Sequence, residues 1–257
     1  MPPSIRVRSG EPGPEGTLVR VELDYVGFEA VRFDGRLERR EEARETCVVL
    51  LSGACTLMGL GEAARATPFD GPPTALYVPP GTAWWVDGAG EIAICTAPAK
   101  GGLEPRLLDR PELLTRGEGT EERAIANILM ESEPAESLLV TEVVTPAGHW
   151  SSYPPHKHDQ ARGEGTPQEE TRLEEIYYHR LSPAGGFAVQ RVYTDDRSLD
   201  ETLAAEDRDV VLVPRGYHPV SAPHGFELYY LNVMAGPVRR WRIANAPGYD
   251  FLTKARS

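Results

Sequence analysis

The chain has 257 residues, 39 of them acidic and 27 basic, for a formal net charge of −12. That balance argues against a nucleic-acid binder, whose affinity rests on a basic footprint. Hydrophobic and charged shares of 40% and 26% are ordinary for a globular protein, and no stretch reaches membrane-spanning length. Three cysteines, Cys47, Cys55 and Cys95, sit at irregular spacing, which makes neither a disulfide framework nor a zinc knuckle. Buried reduced thiols and a cytoplasmic location are therefore expected, since Met1-Pro-Pro-Ser-Ile-Arg6 carries no apolar signal region.

Strand patterns dominate from the start. Leu18 to Tyr25 alternates apolar and polar residues, and parts of 27–39 do the same. Cys47-Val-Val-Leu-Leu51 is a continuous apolar run, the mark of a strand buried on both faces. Ala75–Val78, Trp84–Val86 and Ile92–Cys95 follow. The 25 glycines and 23 prolines exceed the roughly 12% share typical of the two together, and they fall between these runs as turns. Residues 98–122 break the rhythm with prolines, glycines and charges. They read as a connection between two halves, with a short helix at Pro111–Leu114 as one option. Strand patterns resume at 137–145, 186–193, 209–213 and 226–233.

The halves share an order of features. Leu76-Tyr-Val-Pro-Pro-Gly81 in the first matches Val211-Leu-Val-Pro-Arg-Gly216 in the second. A histidine, His218, follows the second turn, whereas Thr82-Ala-Trp84 follows the first. The pattern predicts an all-β, duplicated barrel divided as 1–118 and 119–257, in which only the second copy carries metal ligands. No histidine precedes His149, so residues 1–110 are expected to serve packing and contacts in a homo-oligomer.

The chemistry concentrates in the second half. In Tyr153-Pro-Pro-His-Lys-His-Asp159, His156 and His158 stand one residue apart, and a strand turns alternate side chains to one face. Together with Glu175 and His218 they can close a site of three nitrogens and one oxygen. Such donors, without thiolate, fit one divalent cation per chain, Zn or Mn ahead of Fe, Co or Ni. Glu175, Tyr177 and His179 share a face; the competing carboxylate Glu174 would turn Ile176 and Tyr178 inward instead, and parity leaves both frames open. His179 reads as a supporting or packing residue, and His149 and His224 as loop residues outside the ligand set. Arg191 and Tyr193 also share a face. Turned inward, Arg191 would clamp a carboxylate; turned outward, it is a surface residue. Sixteen residues, with only Ala161 and Leu173 apolar among them, separate His158 from Glu175 and form a solvated hairpin loop, either a lid or a passive insertion.

Five segments carry a resemblance: Ser151–Asp159, Glu174–His179, Gln190–Asp195, Val213–Pro219 and Tyr229–Gly236. In order and in content they resemble the 5-deoxy-glucuronate isomerase family of inositol catabolism, with weaker likeness through Val78-Pro-Pro-Gly81 and Asn127-Ile-Leu129. The long gap before Glu175 and the short Pro-Arg-Gly-Tyr-His turn differ from the general cupin pattern but belong to this family. The resemblance implies a bicupin fold and a metal held by His156, His158, Glu175 and His218, which favours Glu175 over Glu174. It implies the conversion of 5-deoxy-D-glucuronate to 5-dehydro-2-deoxy-D-gluconate, an aldose–ketose isomerisation. Candidate proton carriers are then Glu175, the tyrosines including Tyr177, and His179. Candidate contacts to the anionic sugar are Arg191, Tyr193, Lys157 and Tyr229. The alternatives are an Fe(II) oxygenase and a non-catalytic sugar-binding cupin.

Overall fold

Alternating apolar residues and frequent turns fold this chain into antiparallel sheets throughout residues 4–254, the part that the computed structural model describes. The one α-helix among the described residues is Asp250–Lys254.

The N-terminal sheet runs in the order Thr17–Glu22, Gly27–Arg40, Ala83–Pro98, Arg44–Leu57, Ala75–Val78, Arg106–Leu108, with Gly61–Arg65 also beside Arg44–Leu57. Its three central strands are 14 to 16 residues long, well beyond the usual length of about five or six. They bend where the register shifts between Leu50 and Ser52 and where Gly53 faces Gly90. Gly53 has φ +98°, and a Cβ there would lie 2.1 Å from the Ala89 carbonyl oxygen, so only glycine permits the close pass. Bent in this way, one sheet wraps a core of Val31, Phe33, Val48, Leu50, Leu57, Leu76, Trp84, Val86 and Ile92.

The C-terminal sheet runs in the order Arg6–Val7, Val210–Val213, Glu174–Ser182, Glu227–Ala235, Leu139–Thr145, Arg123–Leu129, Glu112–Arg116. Tyr177, Val211 and Leu228 from it pack against Ala188, Val192 and Val220 of a second sheet. That sheet is built from Trp150–Ser151, Val220–Ser221, Phe187–Tyr193 and Asp200–Glu206. Two details depart from expectation. The segment read as a short helix at Pro111–Leu114 belongs instead to the strand Glu112–Arg116, because its backbone pairs with Arg123–Leu129. The chain's beginning, Arg6–Val7, pairs with Val210–Val213 and so lies in the C-terminal sheet.

The halves meet through the opposite faces of their central strands. Cys47, Val49 and Leu51 from one side pack with Ile176, Tyr178, Tyr229, Leu231 and Val233 from the other. Their alternate neighbours, Val48 and Leu50, fill the N-terminal barrel. This accounts for the unbroken apolar run at Cys47–Leu51. All three cysteines are buried and free. Polar pairs cross the same interface. The Arg65 guanidinium meets Glu142 at 2.7 Å and Tyr178 Oη donates to Glu91 at 2.7 Å, while Tyr229, from the same half as Glu142, donates its Oη to that carboxylate at 3.0 Å. Since Ile176 and Tyr178 face this seam, strand alternation turns Glu175, Tyr177 and His179 the other way, into the C-terminal barrel.

Candidate metal centre

Two loops and one central strand bring the ligating atoms together. Glu175 lies between Val213 and Met234 on the neighbouring strands. Beyond Val213 the turn at Gly216, φ +96°, passes so close to Tyr193 that a Cβ would lie 2.5 Å from its carbonyl oxygen. This tight turn brings His218 back over the strand end. His158 follows the short strand His156–Lys157, which pairs with Ala244–Asn245. The result is a buried triad, His158, Glu175 and His218, whose donor atoms lie within 4.8 Å of one another.

The hydrogen bonds set the character of each donor. His158 Nδ1 donates to the Leu173 carbonyl at 3.2 Å and His218 Nδ1 to the Gly216 carbonyl at 2.8 Å. A carbonyl only accepts, so both rings carry their proton on Nδ1 and turn an Nε2 lone pair inward. Those nitrogens stand 3.0 and 3.1 Å from Glu175 Oε2. Three electron-rich atoms so close repel one another unless a proton or a cation joins them. His218 Nε2 is buried without a hydrogen-bond partner. Asn232 Nδ2 donates to the other oxygen, Glu175 Oε1, which fixes the carboxylate's rotation. The arrangement fits a divalent cation bound by imidazole and carboxylate.

The electrostatics show the same atoms competing for a proton. Burial alone would raise the Glu175 carboxyl, but His218 and His158 outweigh it and hold the group well below the usual carboxylate range. Burial works against charging His158, yet Glu175 raises it on balance. His156 is pushed down to about 3 by burial and by the His218 and His158 rings, so its imidazole is neutral. His156 is not part of the close triad. Its ring centroid lies 5.0 Å from that of His218, its Nδ1 reaches the Pro154 carbonyl at 3.3 Å, and it lines the adjoining cavity.

The other sequence-derived candidates separate clearly. Tyr177 lines the cavity and its hydroxyl pairs with Ser152 Oγ at 2.8 Å. His179 lies behind it, stacked at 5.9 Å and bonded through Nε2 to Gln190 at 2.9 Å, so it touches Tyr177 and not the cavity. Four expected sugar contacts lie outside the cavity wall. Arg191 is exposed and gripped by Asp200 at 2.8 Å, because Ala188, Gln190 and Val192 of its strand take the inward face. Tyr193 stacks on Tyr217 with centroids 5.0 Å apart, away from the cavity wall. Lys157 is buried among Asp159 at 2.6 Å, Asp195 at 3.2 Å and Glu170 at 3.4 Å, which consume its charge. Tyr229 faces the seam between the halves; its neighbour Tyr230 lines the cavity instead.

The cavity beside the triad has a volume of about 140 Å³. Its polar wall includes Asn127, Thr141, Ser152, Tyr230 and two arginines, Arg116 and Arg123. Sequence reasoning missed Arg116 because 98–122 read as a connection, and Arg123 because no strand was read between 122 and 137, although the alternation of Arg123, Ile125 and Asn127 was there to be seen.

The fold and this buried cluster define an all-β bicupin with a metal-type site in one barrel only among the described residues. Solved oxalate decarboxylase from Bacillus subtilis shares the fold, with a TM-score of 0.61 over 93% of this chain and 78% of that one at 11% identity. More specifically, the chain belongs to the KduI/IolB family, whose model matches residues 15–252. A 5-deoxy-glucuronate isomerase of Geobacillus kaustophilus is 48% identical, covering 97% of this chain and 95% of that protein. One from Bacillus subtilis strain 168 is 40% identical over 93% and 91%. The crystal structure of an IolB-like protein from Salmonella typhimurium superposes with a TM-score of 0.89 at 39% identity, covering 98% of this chain and all of that one.

Proposed function

We propose that this protein is a metal-dependent aldose–ketose isomerase that converts 5-deoxy-D-glucuronate to 5-dehydro-2-deoxy-D-gluconate. The observation that carries the reading is the buried His158–Glu175–His218 triad at the wall of a cavity. Near-full-length relatives named for that activity supply the substrate. His156, neutral and beside His218, is the proposed fourth donor.

A divalent cation held by these residues supplies Lewis acidity toward the aldehyde and hydroxyl oxygens of an α-hydroxy aldehyde. By a proton-transfer route, with a hydride shift from C2 to C1 as the competing one, the chain moves one proton from C2 to C1 and another between the two oxygens. Tyr177 and Tyr230 are the hydroxyl groups placed to do so, anchored by Ser152 and Ser151 respectively. Asn232 keeps the Glu175 carboxylate from swinging away during the transfer. His179 holds the back of the Tyr177 ring and is proposed as a positioning residue. The cavity's apolar wall, including Ile125, Val143 and Met234, limits water and strengthens these contacts.

The ligands lie in the second unit of the proposed 1–118 and 119–257 division, to which Glu112–Arg116 also belongs by its pairing. The first unit is a scaffold, and a cytoplasmic homo-oligomer completes the reading. His158→Ala and His218→Ala are expected to lose both bound metal and turnover, checked by elemental analysis beside an anaerobic isomerisation assay. Full activity in a metal-free variant would reject the assignment. A strict requirement for oxygen would favour the oxygenase alternative.

A further inference from the structure

The hairpin joining Glu112–Arg116 to Arg123–Leu129 sets Arg116 directly opposite Arg123. Like charges in directly opposed positions destabilise a strand pair. Neither guanidinium forms an ion pair among the described residues. Arg123 Nη1 donates to the Glu121 carbonyl at 3.0 Å, a bond to the hairpin's own backbone. Both side chains line the cavity that Glu175 and His156 also line. In a chain of net charge −12, two arginines, Arg116 exposed and Arg123 half-buried, face each other at the cavity wall without an ion-pair partner among the described residues. Such a pair reverses the local field and offers several donors to an anion.

We propose that Arg116 and Arg123 form a carboxylate subsite, which holds the acid end of the open-chain sugar while its aldehyde end meets the His158–Glu175–His218 triad. This deepens the isomerase reading and rests on it for the substrate. Two planar guanidiniums on adjacent strands suit a carboxylate, which accepts charge-assisted bonds through both oxygens. The subsite makes the protein selective for sugar acids over neutral sugars and sets which end of the chain reaches the metal. It also accounts for the unfavourable pairing, since the bound anion offsets the repulsion.

The test uses the full-length, metal-loaded protein with Arg116→Gln, Arg123→Gln and the double variant. The substrates are 5-deoxy-glucuronate and its uncharged C6 amide. KM for the acid is expected to rise about 10- to 100-fold, the loss expected for charged hydrogen bonds. The kinetics of the amide, the metal content and kcat should hold, and the melting temperature should hold or rise. Arg123→Lys, which keeps the charge, should retain part of the preference. An unchanged ratio of acid to amide KM in a folded, metal-loaded double variant would overturn the proposal.

Titration calorimetry with the same two compounds separates this outcome from failure of the isomerase reading. Preference for the acid in the wild type, lost in the double variant, supports the subsite even without turnover. Turnover with no preference for the acid sinks the subsite and leaves the isomerase standing.

Discussion

Each oxygen of Glu175 has a separate task. Oε1 takes the Asn232 amide, and Oε2 meets the two Nε2 atoms, so a single side chain is both anchored and presented. His179, one turn of the alternation beyond Tyr177, is different in kind. It is fully buried, and burial pushes its imidazole down to about 4, while the Gln190 bond works the other way. The unfolded chain takes up a proton there near the ordinary value of about 6.5, whereas the folded chain resists down to about 4. The folded value is depressed, so stability is full above about pH 6.5 and lost as pH falls toward 4. The expected loss is about 3 kcal/mol. Chemical denaturation across that window should show it, and His179→Gln should flatten the slope. An unchanged slope would show that His179 does not titrate as described.

At the level of elements, strand parity decides which of two adjacent tyrosines reaches the cavity. In the strand Glu227–Ala235, Tyr230 faces the cavity and Tyr229 the seam. Tyr230→Phe is expected to lower kcat about tenfold or more, in the range for loss of proton-transfer assistance, with little change in melting temperature. Tyr229→Phe should leave kcat unchanged and cost about 1 kcal/mol, the worth of its bond to Glu142. Steady-state kinetics and thermal melts on the same pair of variants check both.

Parity also explains what could be read before the structure was known. His158, Glu175 and His218 were legible because their chemistry is specific and their turns have recognisable residues. The duplicated all-β plan was legible from turn spacing. The orientation of Arg191 and Tyr229 was not, because alternation says which residues share a face without saying which face looks inward. Lys157 misled for another reason. Its partner Glu170 comes from the far side of the 159–174 loop, a pairing that no local pattern announces.

Across the whole molecule, the two halves share an apolar seam, and buried charge also spans it. Arg65 and Glu142 are almost fully enclosed and come from opposite halves. Arg65→Ala would leave Glu142 charged or neutral in an apolar seam with only Tyr229 for company. A loss of about 3–5 kcal/mol is expected, as for other buried pairs broken on one side. Denaturant melts followed by fluorescence would measure it, and a loss below about 1 kcal/mol would place the pair with weak surface bridges.

The most direct test of the central claim is an anomalous-scattering map from crystals of catalytically active, metal-loaded protein. One strong peak per chain is expected at about 2.0–2.2 Å from His158 Nε2, His218 Nε2 and a Glu175 oxygen. Active crystals with no peak at that position, or with the ion bound elsewhere, would contradict the claim.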